Sequence, residues 1–492
     1  MQLRIHDYLD KQNDQRPTAR ALTDSIGTDW NFADLSAASI ALAEELASMG
    51  VRANDRVLVL LENSAASVAA VFAISRLGAT SVPFNARQTE AEIDRVIQHA
   101  EPAAMLFTSA VSAEAQAHSE RMGAKPMQGC QGLDGVTLRS SPVPELEDVA
   151  TLLYTTGTTG TPKGVMLTHA NLIFGGSVAC ETRKVTPDDK IYGVLPFSHV
   201  FGLTSIVMAT VLSGATLRIA RRFVPANLYE ALNSGVTLLS AVPQMHALLM
   251  QYTKEQGFDH LQSKSLRYVS SGAAPLDLDW KRRAEAFYGL PLQNGYGMTE
   301  TTAGASLTRH TESNDDISVG QPFPGVRIKL DRNAPNSQGE VGEVLVGGGG
   351  VMKGYFRNPE ETAKVLTSDG WLRTGDLGRM DSDGNLHIVG RSKELIIHGG
   401  FNVYPPEVEA ALNDHPQVIQ CAVAGHVLDG DELVYAYVEA SPDDWPNEAE
   451  LSAFTATKLA GYKRPTRIIV VEKLPTAPTG KVLKSKLAEL LL

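Results

Sequence analysis

Apolar and polar positions along the chain follow two different periods, and residues 55–107 show both. Three short apolar runs have the length of strands, and two intervening segments have apolar positions at helical spacing. The expected strands are 56–61, 80–84 and 103–107, and the expected helices are 64–77, with Asn63 as N-cap, and 90–99. This alternation predicts a parallel sheet with helices on its faces.

Similar units are predicted downstream, until the pattern changes near residue 319. Strands are expected at 149–154, 165–167 and 266–269, a helix from Ala170, and α/β units at 190–217 and 236–250. Between 319 and 386 the runs are short, and Asp383-Gly384 is a hairpin signal, which predicts a small β-barrel or a distorted sheet. A compact α+β unit is expected at the C-terminal end, with strands at 395–397, 418–424 and 433–439 and helices at 406–412 and 448–458.

Composition and charge are those of a globular enzyme. The 492 residues are 43% hydrophobic and 20% charged, with a net charge of -12, which argues against nucleic acid or an anionic membrane as the main partner. Residues 455–492 nevertheless contain eight basic residues against two acidic ones, which is either a solvated face or an end that meets polyanions. The three cysteines are widely spaced, and we find no signal peptide and no apolar run of membrane length. A cytoplasmic protein without a membrane span is therefore expected, and the sequence leaves a homodimer open.

The segment YTTGTTGTPKG, residues 154–164, carries the first candidate chemistry. Three glycines, five threonines and Lys163 offer backbone N–H groups, hydroxyls and one cation with little side-chain bulk, which suits phosphate groups. The spacing is not that of a Walker loop, because Pro162 and Gly164 break it. On composition alone, a surface turn remains the alternative. The candidate phosphate-binding residues are Thr155, Thr156, Gly157, Thr158, Thr159, Gly160 and Lys163.

A second segment, NGYGMTETTAG at residues 294–304, combines an aromatic ring with oxygen donors. Tyr296 lies between two glycines and is able to stack on a purine, while Thr299 offers a hydroxyl group. Glu300 offers a hard oxygen ligand of the kind that Mg²⁺ prefers.

The loop at 154–164 resembles the phosphate-binding signature of the adenylate-forming superfamily, which includes acyl-CoA and aryl-CoA synthetases, amino-acid adenylation domains and luciferases. The segment 294–304, the run GRSKELIIHGGFNVYPPEVEAAL at 390–412 and the run PTAPTGKVLKSKL at 475–487 follow in the family's order. The resemblance implies an α/β fold in which two parallel α/β subdomains and a small β-barrel form a large N-terminal domain. A small, mobile α+β C-terminal domain is expected to follow. The expected domains are residues 1–391 and 392–492, with a hinge near Lys393.

The resemblance also implies roles for the candidate residues. Thr155 and Glu300 are expected to hold Mg²⁺, Asp376 to accept hydrogen bonds from the ribose hydroxyls, and Arg391 to lie near ribose and phosphate. Lys481 is expected to act between the substrate carboxylate and the α-phosphate, although a surface position is the ordinary interpretation of a single lysine. The expected catalytic residues are Lys481, Glu300, Thr299, His199 and Lys393. The expected ligand-binding set also includes Gly272, Ala273, Ala274, Asn294, Gly295, Tyr296, Gly297, Met298, Gly399, Gly400 and Phe401, the last three on the pantetheine side.

Two segments are predicted to form an acyl pocket, PFSHVFG at 196–202 and SSGAAPL at 270–276. A segment similar to the first gates the pocket of aromatic and fatty acyl-CoA synthetases, with a packed histidine and a tight turn as the alternatives. The expected lining is His199, Phe201, His246, Gly272, Ala273, Ala274, Gly297, Thr302 and Ala303. Residues 241–248 contain no arginine that would hold a second carboxylate, so an apolar medium-chain or aromatic acid is expected rather than malonate.

The expected activity is ATP-dependent ligation of a carboxylic acid to CoA through an acyl adenylate, with ATP, Mg²⁺ and CoA as ligands. A malonyl-CoA or short-chain acyl-CoA synthetase and an enzyme that loads a carrier protein remain alternatives. An amino-acid adenylating enzyme would want a carboxylate in the segment 196–206, which has none. A luciferase-like oxygenase is not excluded by the motifs. A non-catalytic nucleotide-binding protein is expected to lack Lys481 or Glu300, and both are present.

Overall fold

The computed structural model describes residues 3–138, 141–156, 162–273, 276–398, 401–428, 431–476 and 482–491. Its N-terminal part contains an eight-stranded sheet and a nine-stranded sheet, and most strands in the middle of each are parallel. In spatial order, the eight strands are Gly354–Tyr355, Pro162–Thr168, Val149–Thr156, Thr80–Asn85, Arg56–Leu61, Ala104–Phe107, Asp134–Thr137 and Lys125–Pro126. The nine strands are Gln321–Pro322, Ser306–Leu307, Leu292–Tyr296, Tyr268–Gly272, Leu238–Ala241, Lys190–Gly193, Thr216–Ile219, Arg20–Thr23 and Asp29–Asn31.

The predicted strand–helix alternation near the N-terminus is confirmed. Arg56–Leu61 pairs in parallel with strands on both sides, and all six of its residues are buried. An apolar run without polar alternation suits this position, because both faces of a parallel sheet are covered by other elements. The two sheets share one hydrophobic core, which contains Val57 from the first and Ile191 from the second.

Helices cover the faces of both sheets. In the N-terminal part they are Ile5–Gln15, Phe32–Ser48, Ala65–Arg76, Glu90–Ala100, Ala113–Met122, His169–Arg183, Pro225–Asn233, Pro243–Glu255, Leu278–Tyr288 and Pro359–Val365. A further continuous helix at residues 200–213 consists of the α-helical ends Val200–Gly202 and Ala209–Ser213 around the π-helical stretch Leu203–Met208. Short 3₁₀ turns lie at Pro144–Leu146, Thr299–Thr301, Ser392–Glu394, Gly461–Lys463 and Lys484–Leu491.

The predicted N-cap of the helix Ala65–Arg76 is wrong by one residue. Ser64 is the cap, and its hydroxyl accepts a hydrogen bond from the Ser67 N–H. The amide of Asn63 instead donates to the Leu195 carbonyl and accepts from the Phe197 N–H, at 2.9 and 2.8 Å. Asn63 therefore ties the end of a strand in one sheet to the 196–202 segment that follows a strand of the other.

The region after residue 319 forms an open, four-stranded antiparallel sheet. Its strands are Val326–Asp331, Gly342–Gly348, Leu372–Met380 and Leu386–Arg391. Register shifts interrupt two of the pairings, so the distorted-sheet alternative holds, and the strand order describes no closed barrel among the described residues.

The C-terminal part has the predicted α+β character. Its strands are Ile396–His398, Phe401–Val403, Gln420–Leu428, Asp431–Glu439 and Arg467–Val471, and its helices are Pro405–Asn413 and Glu448–Ala456. None of the helices that the structure describes is long and apolar enough to cross a membrane.

Candidate active site

The strands predicted on both sides of the threonine-glycine loop form an antiparallel hairpin. Thr155 lies opposite Lys163 in the register of the two strands. The Lys163 ammonium forms an ion pair with Glu361 and lies 5.2 Å from the ring centroid of Tyr355. The hydrogen bonds from Lys163 and Lys364 lower the pKa of Glu361 to about 2, so this carboxylate is ionised at neutral pH.

Glu300 lies in the buried 3₁₀ turn Thr299–Thr301 at the edge of the hairpin. Its Oε1 accepts a 2.8 Å hydrogen bond from the Tyr355 hydroxyl, and its carbonyl accepts one from the Met352 N–H. Burial raises the pKa of Glu300, and the hydrogen bond from Tyr355 opposes that rise. A buried carboxylate whose hydrogen-bond donors are neutral retains acceptor capacity for a cation.

Tyr296, Asp376 and Arg391 form a network across two sheets. The Tyr296 hydroxyl donates to Asp376 Oδ2 at 2.6 Å, and Arg391 Nε lies 3.2 Å from Asp376 Oδ1. Burial raises the pKa of Tyr296, and the neighbouring Asp376 raises it further, so the phenol stays protonated and donates. The register that pairs Asp376 with Arg391 belongs to the four-stranded sheet, which therefore supplies two of the three groups.

An apolar cavity of about 750 Å³, including its open mouth, lies beside this network. Strand Tyr268–Gly272, helix His169–Arg183, the helix at 200–213 and the segment 295–304 form its walls. Of the predicted lining residues it contains His199, Phe201, Gly272, Ala273, Gly297, Thr302 and Ala303. It also contains Gly295, Tyr296 and Met298 of the predicted ligand-binding set.

Two of the glycines in the wall allow close approach of other groups. A β-carbon on Gly297 would lie 2.1 Å from the Ala303 carbonyl oxygen, so a larger residue would displace the backbone there. A β-carbon on Gly272 would lie 3.4 Å from the ring of Phe201, so that ring packs against bare backbone. Ala273 has a positive φ of 68°, and Thr302 and Ala303 have values of 55° and 79°, which non-glycine residues seldom adopt.

His199 begins the helix at 200–213 and accepts a hydrogen bond from the Phe201 N–H through Nδ1. Its ring lies in the cavity wall, as predicted.

His246 does not line the cavity formed by the described residues, which corrects the prediction. Its side chain is fully buried, with Nε2 3.2 Å from the Ser270 carbonyl and Nδ1 2.7 Å from the Tyr288 hydroxyl. The carbonyl accepts from Nε2–H and the phenol donates to Nδ1, so the ring is neutral, and burial lowers its pKa to about 4. His246 supports the strand that carries the cavity wall.

Asn294 has a similar supporting position. Its side-chain amide donates to the Ser318 carbonyl at 2.9 Å, and its N–H donates to the Thr308 hydroxyl. Its side chain is absent from the cavity lining among the described residues.

Arg183 is a cavity residue that the sequence interpretation missed. It lies in the last turn of the helix His169–Arg183 and is only 9% exposed. Gly175, Ala179 and Arg183 recur every four residues and all line the cavity, so this spacing was the available signal. Residues 241–248 contain no arginine, and the cation in the cavity wall comes from another helix.

The predicted hinge lies in the exposed 3₁₀ turn Ser392–Glu394, directly after the four-stranded sheet. Lys484, near the C-terminal end, contacts both Glu394 and Glu409, at 3.1 and 2.7 Å. Phe401 is exposed and stacks on Tyr462 at a centroid distance of 4.7 Å.

Several predicted site residues lie outside the described part of the chain. They are Gly157, Thr158, Thr159, Gly160, Ala274, Gly399, Gly400 and Lys481. The side chain of Thr156 is also outside the description, although its backbone continues the strand.

A hairpin strand that carries Lys163, a buried carboxylate and an apolar cavity lie at the edges of two α/β sheets, as in enzymes that activate acids as adenylates. The chain belongs to the AMP-binding enzyme family, since the model of that family matches residues 9–356 and the model of its C-terminal domain matches residues 407–481. By class it is an AMP-forming acid–thiol ligase.

Relatives and solved structures agree over nearly the whole length. The chain is 35% identical over 471 residues to feruloyl-CoA synthase from Amycolatopsis sp, with 94% of each chain covered. It is similar to the crystal structure of ATP-bound MatB from Rhodopseudomonas palustris, with a TM-score of 0.84, 29% identity and 99% of each chain covered. The structure of o-succinylbenzoate CoA synthetase (MenE) from Bacillus subtilis with ATP and a magnesium ion gives a TM-score of 0.83 at 30% identity, covering 98% of this chain and 99% of that one.

Proposed function

We propose that this chain ligates an aromatic or otherwise apolar carboxylic acid to CoA, with ATP and Mg²⁺, through an acyl adenylate. The observation that carries the proposal is the position of the apolar cavity. Its lining includes Met298 and Thr302, the residues on either side of the buried turn that holds Glu300. An acid whose body occupies this cavity has its carboxylate near the groups assigned to ATP.

The first half-reaction joins an anion to a polyanion. A carboxylate oxygen attacks the α-phosphorus of ATP, the bond to the β-phosphate oxygen breaks, and pyrophosphate leaves with that electron pair. Lys481 is the group we assign between the two anions, and the threonine-glycine loop with Lys163 is assigned to the outer phosphates. Asp376 would accept hydrogen bonds from the ribose hydroxyls, with Tyr296 and Arg391 fixing its orientation.

The residues present fit a magnesium ion. Glu300 is a buried carboxylate with a neutral hydrogen-bond donor, and Thr155 offers a hydroxyl on the adjoining strand. When bound there, Mg²⁺ would offset phosphate charge and lower the repulsion between the reactants. Burial disfavours the ionised Glu300 in the absence of a cation, so we assign the ionised form to the loaded site.

The second half-reaction needs the CoA thiol at the acyl carbonyl. We propose that residues 392–492 rotate about Lys393, which withdraws Lys481 and brings Gly399, Gly400 and Phe401 towards the pantetheine arm. The thiolate sulfur then forms a bond to the acyl carbon, and AMP leaves with the electron pair of the broken acyl–oxygen bond. The domain division at residue 391 belongs to this proposal.

Support for an aromatic acid comes from the cavity wall. Phe174, Phe201 and Phe323 contribute rings, while Gly272 and Gly297 leave room for a flat group against the backbone. The similarity to a feruloyl-CoA synthase favours the same class. Each buried methylene contributes about 0.8 kcal/mol, so acids with a large apolar body should outcompete acetate by orders of magnitude in kcat/KM.

A panel of carboxylic acids tests this function through CoA-dependent release of AMP and pyrophosphate. The expected result is stoichiometric AMP and thioester with aromatic or medium-chain acids, and little product with acetate or malonate. A preference for acetate or malonate would contradict the proposed substrate class. AMP release that needs no CoA and yields no thioester would contradict the ligase reaction for this chain.

Lys481→Ala tests the assignment of the catalytic lysine. We expect a loss of about 10²- to 10³-fold in adenylation, measured by acid-dependent ATP–pyrophosphate exchange, with thioester formation from synthetic acyl-AMP retained. Lys486→Ala is the matched control, because it removes an exposed lysine from the same segment. Equal loss in both half-reactions would contradict a mechanism with two domain arrangements.

A further inference from the structure

One face of the helix His169–Arg183 leads from the part of the cavity wall beside Thr302 to a buried cation. Gly175 lies against Thr302 at one end, since a β-carbon there would come within 3.0 Å of the Thr302 carbonyl oxygen. Ala179 and Arg183 follow on the same face, and eight residues of helix rise by about 12 Å. Arg183 therefore lies at the end of the cavity away from the turn that carries Glu300.

The guanidinium of Arg183 is held by a hydrogen bond and an aromatic contact, and none of the described carboxylates pairs with it. Nη1 donates a 2.8 Å hydrogen bond to the Ser205 carbonyl, which the π-helical stretch Leu203–Met208 places in the wall. The carbon of the guanidinium lies 5.8 Å from the ring centroid of Tyr268. The buried Nε atom has no hydrogen-bond partner among the described residues.

Other buried polar atoms around the same cavity are also without partners. The hydroxyls of Tyr268, Ser271 and Ser306 make no hydrogen bond to described residues, and Ser271 and Ser306 line the cavity with Arg183. Buried hydroxyl and guanidinium groups are normally paired, because leaving them unpaired costs free energy. Three of these atoms, on Arg183, Ser271 and Ser306, belong to residues that line one cavity, which indicates a ligand that accepts hydrogen bonds.

Comparison with the neighbouring Arg267 shows what Arg183 lacks. Arg267 donates to the Arg183 carbonyl and forms two hydrogen bonds to the Asp189 carboxylate, at 2.8 and 2.6 Å. In the described part of the chain, no ion pair joins Arg183 to a carboxylate. The positive charge of Arg183 in the cavity wall favours an anion.

We propose that the acid accepted by this chain has a large apolar body and, unlike malonate, carries a second carboxylate at the far end of that body from the group that is activated, and that Arg183 binds it. The inference rests on the proposed function, since it places the acid in the same cavity. The apolar middle of the cavity holds the body of the substrate, and the ring of Tyr268 lies beside the guanidinium that binds the distal carboxylate. A planar carboxylate matches the guanidinium geometry.

Pairs of acids that differ only in a distal carboxylate or methyl group test the proposal. The pairs span short and long aliphatic acids and para-substituted cinnamic acids, with 4-hydroxycinnamate as a further arm, so that a mismatch in length does not decide the outcome. In the wild type we expect the carboxylate to exceed the methyl compound by at least about tenfold in kcat/KM in one series. In Arg183→Met we expect that preference to be lost or reversed, with methyl-terminated acids still turned over. Arg183→Lys should retain part of the preference.

Arg218→Met is the control, because Arg218 is a surface residue paired with Glu230 and Ser234. The melting temperature of each variant is measured alongside. If Arg183 has only a structural role, its replacement should lower the melting temperature and reduce kcat/KM for all acids by the same factor. That uniform reduction would overturn the proposal, as would a wild-type preference, in every series, for the acid without the distal carboxylate, with 4-hydroxycinnamate counted among these acids. If the wild type turned over none of these acids, that result would instead contradict the proposed function.

Discussion

Tyr296 donates a 2.6 Å hydrogen bond to Asp376, and this contact joins a strand of the nine-stranded sheet to a strand of the four-stranded sheet. Asp376 is only 6% exposed, and Arg391 lies at its other oxygen. The carboxylate therefore has a fixed orientation before any ligand arrives. A preorganised acceptor loses little conformational freedom when it binds two hydroxyl groups.

Tyr296→Phe should weaken ATP binding while leaving the acid site intact. The variant keeps the ring and removes the donor to Asp376, a hydrogen bond to a charged group that contributes on the order of 1.5 kcal/mol. We expect the KM for ATP to rise about tenfold in ATP–pyrophosphate exchange, with the KM for the acid little changed. Asp376→Asn, which alters the acceptor itself, should cost more. A larger effect on the acid than on ATP would contradict the assignment of Asp376 to ribose.

Local patterns in the sequence predicted the strands and helices that carry the nucleotide residues. Arg56–Leu61 has the predicted bounds, and strands lie on both sides of the threonine-glycine segment as predicted, because both features depend on short-range periodicity. The ligand roles of Asp376 and Lys481 came from family resemblance, since neither is marked by its neighbours in sequence.

The acyl cavity was predicted less well because it depends on packing between distant segments. Arg183 meets Ser205 and Tyr268 only after two helices and a strand pack together, so no local pattern gives its surroundings. His246 lies on a helix behind the wall rather than in front of it, and helical spacing alone does not distinguish these positions.

Tyr355→Phe should make magnesium activation more sensitive to acid. The Tyr355 hydroxyl stabilises the ionised form of Glu300, whose pKa burial already raises, so its removal should raise that pKa further. A raised carboxyl pKa leaves less carboxylate as the pH falls. We expect the Mg²⁺ concentration for half-maximal adenylation to rise more at pH 6 than at pH 8.

Tyr154→Phe is the control for that measurement, because this variant loses a 2.7 Å hydrogen bond between the tyrosine hydroxyl and His99 and leaves Glu300 unchanged. If Tyr355→Phe weakened magnesium activation equally at both pH values, the role of the hydroxyl in the ionisation of Glu300 would be contradicted.

Lys393→Pro should separate the two half-reactions. Proline fixes φ near about -65°, whereas a domain rotation at this turn needs a large change in backbone dihedrals. We expect acyl-AMP to form at a near-normal rate in a single turnover. CoA transfer should slow by more than about tenfold, because the variant seldom reaches the domain arrangement that transfer needs. Lys393→Ala removes the same ammonium but leaves φ free, so it should transfer the acyl group normally. Normal thioester synthesis by the proline variant would place the hinge elsewhere.

A pair of carboxyl groups connects the two parts of the chain assigned to separate domains. Asp277 caps the helix Leu278–Tyr288 by accepting from the Trp280 N–H, and Asp414 follows the helix Pro405–Asn413. Burial and a hydrogen bond with Asp414 raise the pKa of Asp277 to about 6. A proton shared between the two carboxyl groups would give Asp414 Oδ1 a hydrogen bond, and this atom has no other partner among the described residues.

Asp277→Asn should therefore remove a pH dependence from the stability of this domain arrangement. A carboxyl whose folded pKa is raised stabilises the folded state fully below its unfolded pKa of 3.8, and this contribution is lost as the pH rises towards about 6. The wild-type melting temperature should therefore fall across that window. In the Asp277→Asn variant the asparagine still caps the helix and donates to Asp414. This variant should show a flatter profile and, at pH 7, a higher melting temperature than the wild type. Asp279→Asn, at an exposed position in the same first turn, is the control and should keep the wild-type profile. Parallel profiles for wild type and Asp277→Asn between pH 4 and pH 7 would show that no proton is shared across this contact.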